Sequence, residues 1–463
     1  MSKVKGSKLK KFLKITGITC LALFLSVTLT GCSNTKNTTG SNELVIWGFV
    51  DEDTMKPIIQ DFKNENKGIE VKYYKKSLDG NYENNAMNSI LSGEGPDVWA
   101  MPNDWVYRHK DKLTPLPQDL IKSKDINLSE YFVKPVVNDN IIDKQVYGLS
   151  PSVDLLRIYY NPVLYDKAKE NFMDSHRDQE DLTTKIGAIF EKFPITWDEF
   201  NQIEPYLTVK SGSSIQTSAV AMGTSNNVSN SQDILTLLMI QNQTKMISDD
   251  ASQAVFNLPI KSASGTDIYS GRNSLDFYAK YADPSSSYYT WNSSMPNDVD
   301  AFLQGKVTMI FGYSNLGLNF QQLYPDFNFE VAKIPQIGDI NNVVDYAKYT
   351  TYTVPSYSKQ QTNAWKFITL LSIDSADGYV STTKELPSHI EDVEPKLRDR
   401  GNGAPDIDQL KTATTLTKGR YPVDVDSQLK EAITRVVTKA QSSQASLDTA
   451  ATNITTLLRK QTW

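Results

Sequence analysis

Aromatic rings and carboxylates are what this sequence offers for chemistry: 23 tyrosines, 7 tryptophans and 54 Asp and Glu residues stand against 3 histidines and 2 cysteines. The histidines, His109, His176 and His389, are dispersed, with no His-Glu-x-x-His pattern and no cysteine pair beside them for a metal. Neither a Gly-x-Ser-x-Gly nucleophile turn nor a glycine-rich phosphate loop ending in Lys-Ser or Lys-Thr occurs. Asp51 and Asp53 lack the Gly and the closing Glu of an EF-hand calcium loop. No cofactor and no metal is expected. Rings and carboxylates can still hold a polar ligand such as a pyranose, whose C–H faces stack on aromatic side chains and whose hydroxyls pair with carboxylates and amides. Two carboxyls about 5 to 9.5 Å apart would hydrolyse such a sugar. Nothing in the sequence marks that pair.

The two cysteines place the protein instead. Six lysines and no acids precede Cys32, and the apolar run Ile15 to Leu29 ends at small residues. That run is shorter than the roughly 18 to 20 residues of a spanning helix, so residues 1–31 read as a secretory signal peptide. Leu29-Thr30-Gly31-Cys32 resembles a bacterial lipobox, which implies acylation of the Cys32 thiol and cleavage just before it. Residues 32–42, rich in Asn, Thr, Ser and Gly, read as a polar tether. Cys20 leaves with the signal, so no disulfide is expected and stability must come from packing. Removal of the signal leaves 42 basic residues against 54 acidic ones, a net charge of −12. This balance argues against nucleic acid and anionic membrane surfaces as partners.

The elements that must position these groups follow an α/β grammar. Leu44 to Val50 reads as a strand, Met55, Ile58, Ile59 and Phe62 recur at helical spacing, and Ile69 to Tyr74 is a second strand. Asp51 and Asp53 read as helix caps, with Pro57 in the first turn. Tyr82 to Leu91 is a helix stopped at Gly93, and Asp97 to Met101 a third strand, with Asp97 fixing its loop by hydrogen bonding. Such alternation predicts a parallel sheet with ligands at the carboxyl ends of its strands. Further on, Val153 to Tyr160 is a strand, Asn161-Pro162 caps the next helix, and Thr196 with Glu199 forms a capping box. Strands are expected at Thr217 to Met222, Lys306 to Phe311, Phe327 to Ile334 and Tyr346 to Val354. Helices are expected at Ser231 to Gln243, Asn297 to Gln304, Lys359 to Leu371 and within Ser427 to Lys460. Leu258 to Arg272 and Gly401 to Pro422 read as long loops. The length exceeds what one core usually holds, so two domains are expected.

Five segments in order resemble the sugar-type solute-binding proteins of ATP-binding cassette (ABC) importers, extracellular solute-binding protein family 1. They are Leu44 to Trp47, Ser92 to Val98, Tyr147 to Asn161, Pro194 to Phe200, and Asp300 to Gly312. The resemblance implies two α/β lobes facing a cleft, joined by three hinge crossings near Val153-Asp154, Asp345 to Lys348 and Gly378 to Leu386. Residues 43–153 and 348–380 would form one lobe, and 154–347 and 381–463 the other. It further implies a monomeric, non-enzymatic receptor, anchored by lipid at the outer face of the cytoplasmic membrane. Such a receptor delivers a small solute, in this class a mono- or oligosaccharide, to the importer's permease. A surface-anchored glycoside hydrolase and a structural lipoprotein without ligand are the alternatives. Expected ligand-binding residues are Trp47, Phe49, Asp104, Trp105, Asp154, Trp291, Tyr313 and Tyr421. Trp47 ends the first strand and Trp291 belongs to the ring-rich Tyr288-Tyr289-Thr290-Trp291 loop, with core packing the alternative for both. Asp104-Trp105 follows the third strand, where relatives resembling the maltose-binding protein place a carboxylate and a polar neighbour on sugar hydroxyls. Asp154 lies where the family often has an acid on the ligand, a salt bridge to Arg157 being its alternative role. Tyr313 stands beside Ser314, which occupies the place of a family Trp, and Tyr421 belongs to a late loop.

Overall fold

The computed structural model describes residues 42–122, 126–212, 214–338, 343–390 and 408–460. The expected signal peptide, Cys32 and the tether up to Ser41 lie outside the described residues. Strand Glu43–Gly48 alternates half-buried and buried positions, so Leu44 and Ile46 face one side of the sheet while Val45 and Trp47 face the other. It pairs in parallel with Glu70–Lys75 and with Val98–Pro102, as the strand-helix-strand pattern requires. Two late arrivals complete the sheet: Thr350–Thr353 lies antiparallel beside Val98–Pro102 and then beside Gly148–Leu149. Helices Glu52–Glu65 and Gln361–Thr369 cover one face, packing Met55, Phe62, Trp365 and Phe367 against Leu44 and Ile46. Helix Tyr82–Ser92 covers the other face, with Tyr82, Ala86 and Ile90 against Trp99 and Met101. Gly93 ends that helix at φ 76°, in the left-handed region where a side chain is strained.

The second sheet runs in the order Glu330–Ala332, Arg157–Tyr160, Val307–Gly312, Ser214–Val220, Val209–Ser211. Its central strand Val307–Gly312 is buried throughout, parallel to Ser214–Val220 and antiparallel to Arg157–Tyr160. Around it gathers a separate core that includes Tyr159, Phe200, Leu237, Trp291, Phe302, Leu429 and Ile454. Two cores, each about its own sheet, are what the chain length requires.

Between these sheets lies a third, of four short strands: Leu386–Pro387, Ser152–Leu155, Asp345–Lys348 and Ala413–Thr414. Each of two expected long strands is broken by it. Val153 to Tyr160 divides at Leu156, its first part pairing Ala347 with Leu155 and its second entering the second sheet. Tyr346 to Val354 divides at Tyr349, with Asp345–Lys348 in the small sheet and Thr350–Thr353 in the first. The small sheet is thus crossed twice by chain passing from one core to the other. A third passage falls later than Gly378 to Leu386: Leu386, Leu410 and Ala413 pack in the first core, and Val425 in the second. Both cores belong to one compact unit beginning at Asn42.

Local chemistry follows the sequence with five adjustments. Asn161 accepts hydrogen bonds from Val163 N and Leu164 N at 3.0 and 3.2 Å, and Thr196 accepts one from Glu199 N at 3.1 Å. The reciprocal arm of the capping box shifts by one residue, Glu199 accepting from Ile195 N at 2.9 Å. Asp97 ties its loop as expected, accepting from Val45 N at 2.9 Å and from Ser358 Oγ at 2.6 Å. Asp51 does sit at a cap position, but its carboxylate makes no cap bond and pairs with Lys75 Nζ at 2.6 Å. Pro57 lies inside its helix, a turn deeper than expected. Leu258 to Arg272 contains a hairpin, Ile260–Lys261 with Asp267–Ile268, and the start of helix Ser270–Lys280. The other expected loop contributes helix Asp408–Thr412 and strand Ala413–Thr414.

One buried acid in the second core makes stability pH-dependent. Glu204, 1% exposed, accepts from Thr208 Oγ1 at 2.9 Å through one oxygen. Burial pushes its carboxyl from 4.5 up to about 7. Between these values the folded chain holds a proton that the unfolded chain has lost, so stability must fall as pH rises through that window. Urea midpoints measured from about pH 5 to about pH 8 are expected to decline less in Glu204→Gln than in the parent, by on the order of 2 kcal/mol. Parallel pH profiles would contradict this assignment.

Candidate functional site

The first sheet ends its strands at a cleft. Phe49 follows strand Glu43–Gly48, and Asn103, Asp104 and Trp105 form the turn after Val98–Pro102, so both groups stand at carboxyl ends of parallel strands. Opposite them, Tyr313 follows Val307–Gly312, and Asn230, Gln232 and Asp233 open helix Ser231–Gln241. Asp154, Lys348 and Glu385 come from the crossing strands or the residue beside them. Together they line a cavity of about 680 Å³, a size that accommodates a small ligand.

Of the expected residues, Phe49, Asp104, Trp105, Asp154 and Tyr313 are brought together here. Phe49 packs edge-on to Tyr82 with ring centroids 5.0 Å apart, and Trp105 stacks on the same tyrosine at 6.2 Å. The other three rings stand elsewhere. Trp47 points to the sheet face under helix Tyr82–Ser92 and carries Lys76 Nζ 3.9 Å above its ring. Trp291 is a correction: it is fully buried in the second core, its indole N–H donating to Asn227 Oδ1 at 3.1 Å. The ring-rich loop is therefore an internal plug, because the backbone of Thr290 and Trp291 is pinned to Tyr281 O at 3.0 Å. Tyr421 lies against the Arg108 guanidinium at 5.3 Å, and Val423 reaches the cleft in its place.

Charges organise the walls. Asp154 accepts from Ser314 N and Ser314 Oγ, both at 2.8 Å, and from Leu155 N at 2.9 Å, with Arg157 Nη2 at 3.6 Å. Asp154 thus lines the cavity and faces Arg157 as well. Burial nevertheless raises the Asp154 carboxyl above its ordinary value, and burial together with the charge on Asp154 does the same to Glu385. Lys348 Nζ donates to both oxygens of Asp233, at 3.0 and 3.1 Å, and Tyr313 OH donates to the same carboxylate at 3.1 Å. Burial acts to lower Lys348, yet Asp233 overrides it and holds the amine above its usual range. Lys418, its side chain wholly buried, lies 2.6 Å from Asp426 and 3.4 Å from Asp104. Burial is again outweighed by the acids, which hold this amine well above its usual range.

Sequence reasoning missed Asp233, Lys348, Lys418 and Asp426. A signal existed for Lys348, a charge between Ala347 and Tyr349 in a strand-like stretch, where burial without a partner is costly, whereas Asp233 follows Asn230-Ser231-Gln232 and reads as an ordinary first-turn acid. Lys418 lies in a weakly patterned stretch that carries no such signal.

Solved structures share this architecture. A solute-binding protein of an ABC transporter from Thermotoga lettingae, bound with alpha-D-tagatose, aligns at TM-score 0.67 and 21% identity, covering 90% of this chain and 99% of its own. The sugar-binding protein MalE of Xanthomonas citri aligns at TM-score 0.70 and 18% identity, covering 90% and 98%. An ABC substrate-binding protein of Listeria monocytogenes in complex with cycloalternan aligns at TM-score 0.68 and 16% identity, covering 90% and 98%. These identities establish the two-lobed fold. No curated protein sequence matches. The family model for bacterial extracellular solute-binding proteins matches residues 49–374, most of the chain, and the chain, with its two sheets, crossing sheet and lined cleft, belongs to that family.

Proposed function

We propose that this protein is the capture component of an ABC importer and takes a mono- or oligosaccharide between its lobes for delivery to the permease. The observation that carries the reading is the cavity of about 680 Å³ in which rings from one core face carboxylates and amides from the other. Phe49 and Trp105 supply apolar faces for C–H stacking, while Asp104, Asp154, Asn230 and Gln232 supply acceptors and donors for hydroxyls. The tagatose and cycloalternan named for the Thermotoga and Listeria proteins, and the sugar-binding description of the Xanthomonas protein, support the same class. Lobe one takes 43–155, 347–386 and the stretch around Leu410 and Ala413; lobe two takes 156–346 and the chain from Pro422, in accord with the two cores. Closure about the crossings would bring the walls together, so affinity is reduced by whatever closure costs.

Cys32 carries the lipid in this proposal, mooring the receptor as a monomer at the outer face of the cytoplasmic membrane, and the protein performs no catalysis. The test is purified mature protein against a glycan panel, with intrinsic tryptophan emission, melting temperature and sugar analysis. A saturable rise in melting temperature with intact sugar is expected, because a ligand that binds only the folded state stabilises it. Release of reducing ends would replace the reading by a hydrolase. No response to any saccharide would overturn the sugar assignment.

A further inference from the structure

The cleft described above is not electrically neutral. Asp79, Glu83 and Asp104 line one side, Asp154 and Glu385 the crossing strands, and Asp233 and Asp426 the other side, whereas Lys348 is the one lysine of the lining among the described residues. The nearby cations are already engaged. Lys348 is held by both oxygens of Asp233, Lys418 is wholly buried between Asp426 and Asp104, Arg108 is bound by Glu83 and by Arg420 O at 2.8 Å, and Arg157 Nη2 lies 3.6 Å from Asp154. Seven acids of the lining thus stand against these four cations, and an entering anion would meet a net negative wall. Because acids outnumber these cations, carboxylate lone pairs are left to accept from an incoming ammonium. The crowding is felt by the groups themselves: burial and the neighbouring Asp154 push Glu385 up to about 7. The acids stand on both walls and on the crossing strands, and among the described residues no group of three or more His, Cys, Asp or Glu is placed to hold a metal ion.

We infer that the cleft selects its saccharide by charge, binding an amine-bearing sugar more tightly than the uncharged sugar of the same ring and rejecting sugars that carry a carboxylate or phosphate. The inference rests on the receptor reading above and names the ligand class for the same cleft. Rejection comes from like charges lining a partly desolvated space, a repulsive device that adds specificity without any new attractive contact.

Titration calorimetry with glucose, glucosamine and glucuronate, and with their β-linked trimers, tests it. Glucosamine forms are expected to bind at least tenfold more tightly than the glucose forms, and glucuronate forms at least tenfold more weakly. The gap should narrow as salt rises from about 10 mM to about 1 M, because ions screen the field. Asp79→Asn, at an exposed position on the cleft wall, should narrow it in the same way. Equal affinity of amine and neutral forms, or binding of glucuronate as tight as glucose, overturns the charge selection and leaves the saccharide receptor standing. Silence of every saccharide in both panels overturns both.

Discussion

Lys418→Met should lower the stability of the ligand-free protein by about 3 to 5 kcal/mol, the largest single effect expected outside the hydrophobic cores. The side chain is wholly buried and lies 2.6 Å from Asp426 and 3.4 Å from Asp104, so its removal leaves two carboxylates without their counter-charge. Methionine preserves most of the stem's packing, which confines the change to charge. The consequence is testable by pairing. If the loss comes from stranded carboxylates, Lys418→Met combined with Asp426→Asn must recover part of it in urea titrations, since replacing a buried pair by neutral groups is far cheaper than breaking it. Additive losses would show that Lys418 matters through packing. Because Asp104 belongs to the turn after Val98–Pro102 and Asp426 to helix Pro422–Val437, the same bridge ties the two cores beside the third crossing.

The second large effect concerns affinity and separates two rings of one segment. Phe49→Ala should weaken saccharide binding about tenfold or more, roughly 1.4 kcal/mol, because its half-buried ring lines the cleft. Trp47→Ala should leave affinity within about threefold, since its ring sits under Lys76 on the sheet face packed by helix Tyr82–Ser92. Melting temperatures of both ligand-free variants control for folding. The reverse order, with Trp47 dominating, would relocate the stacking platform and require the strand end to rotate.

That contrast shows where the sequence was readable. Strands and helices followed from periodicity, and turn chemistry was legible wherever one residue's own bonding decided the outcome: Asn161 as a cap, Asp97 as a loop tie, Thr196 as half of a capping box. Asp51 failed as a cap because Lys75 on the adjoining strand offers its carboxylate a charged partner 2.6 Å away, which no local pattern discloses. Long strands were predicted intact across Leu156 and Tyr349, since an apolar run looks the same whether it stays in one sheet or passes between two.

The sequence by itself determined the α/β class, the two-core size and the family, because each depends on local pattern, composition or the order of short motifs. Tertiary structure alone decided which rings and charges meet. Trp291 turned inward once its indole found Asn227, and Trp47 turned aside because strand alternation sends it to the face opposite Ile46. Asp233, Lys348, Lys418 and Asp426 converged from segments far apart in the chain because buried charges must find partners. That requirement acts through space, and sequence spacing does not record it.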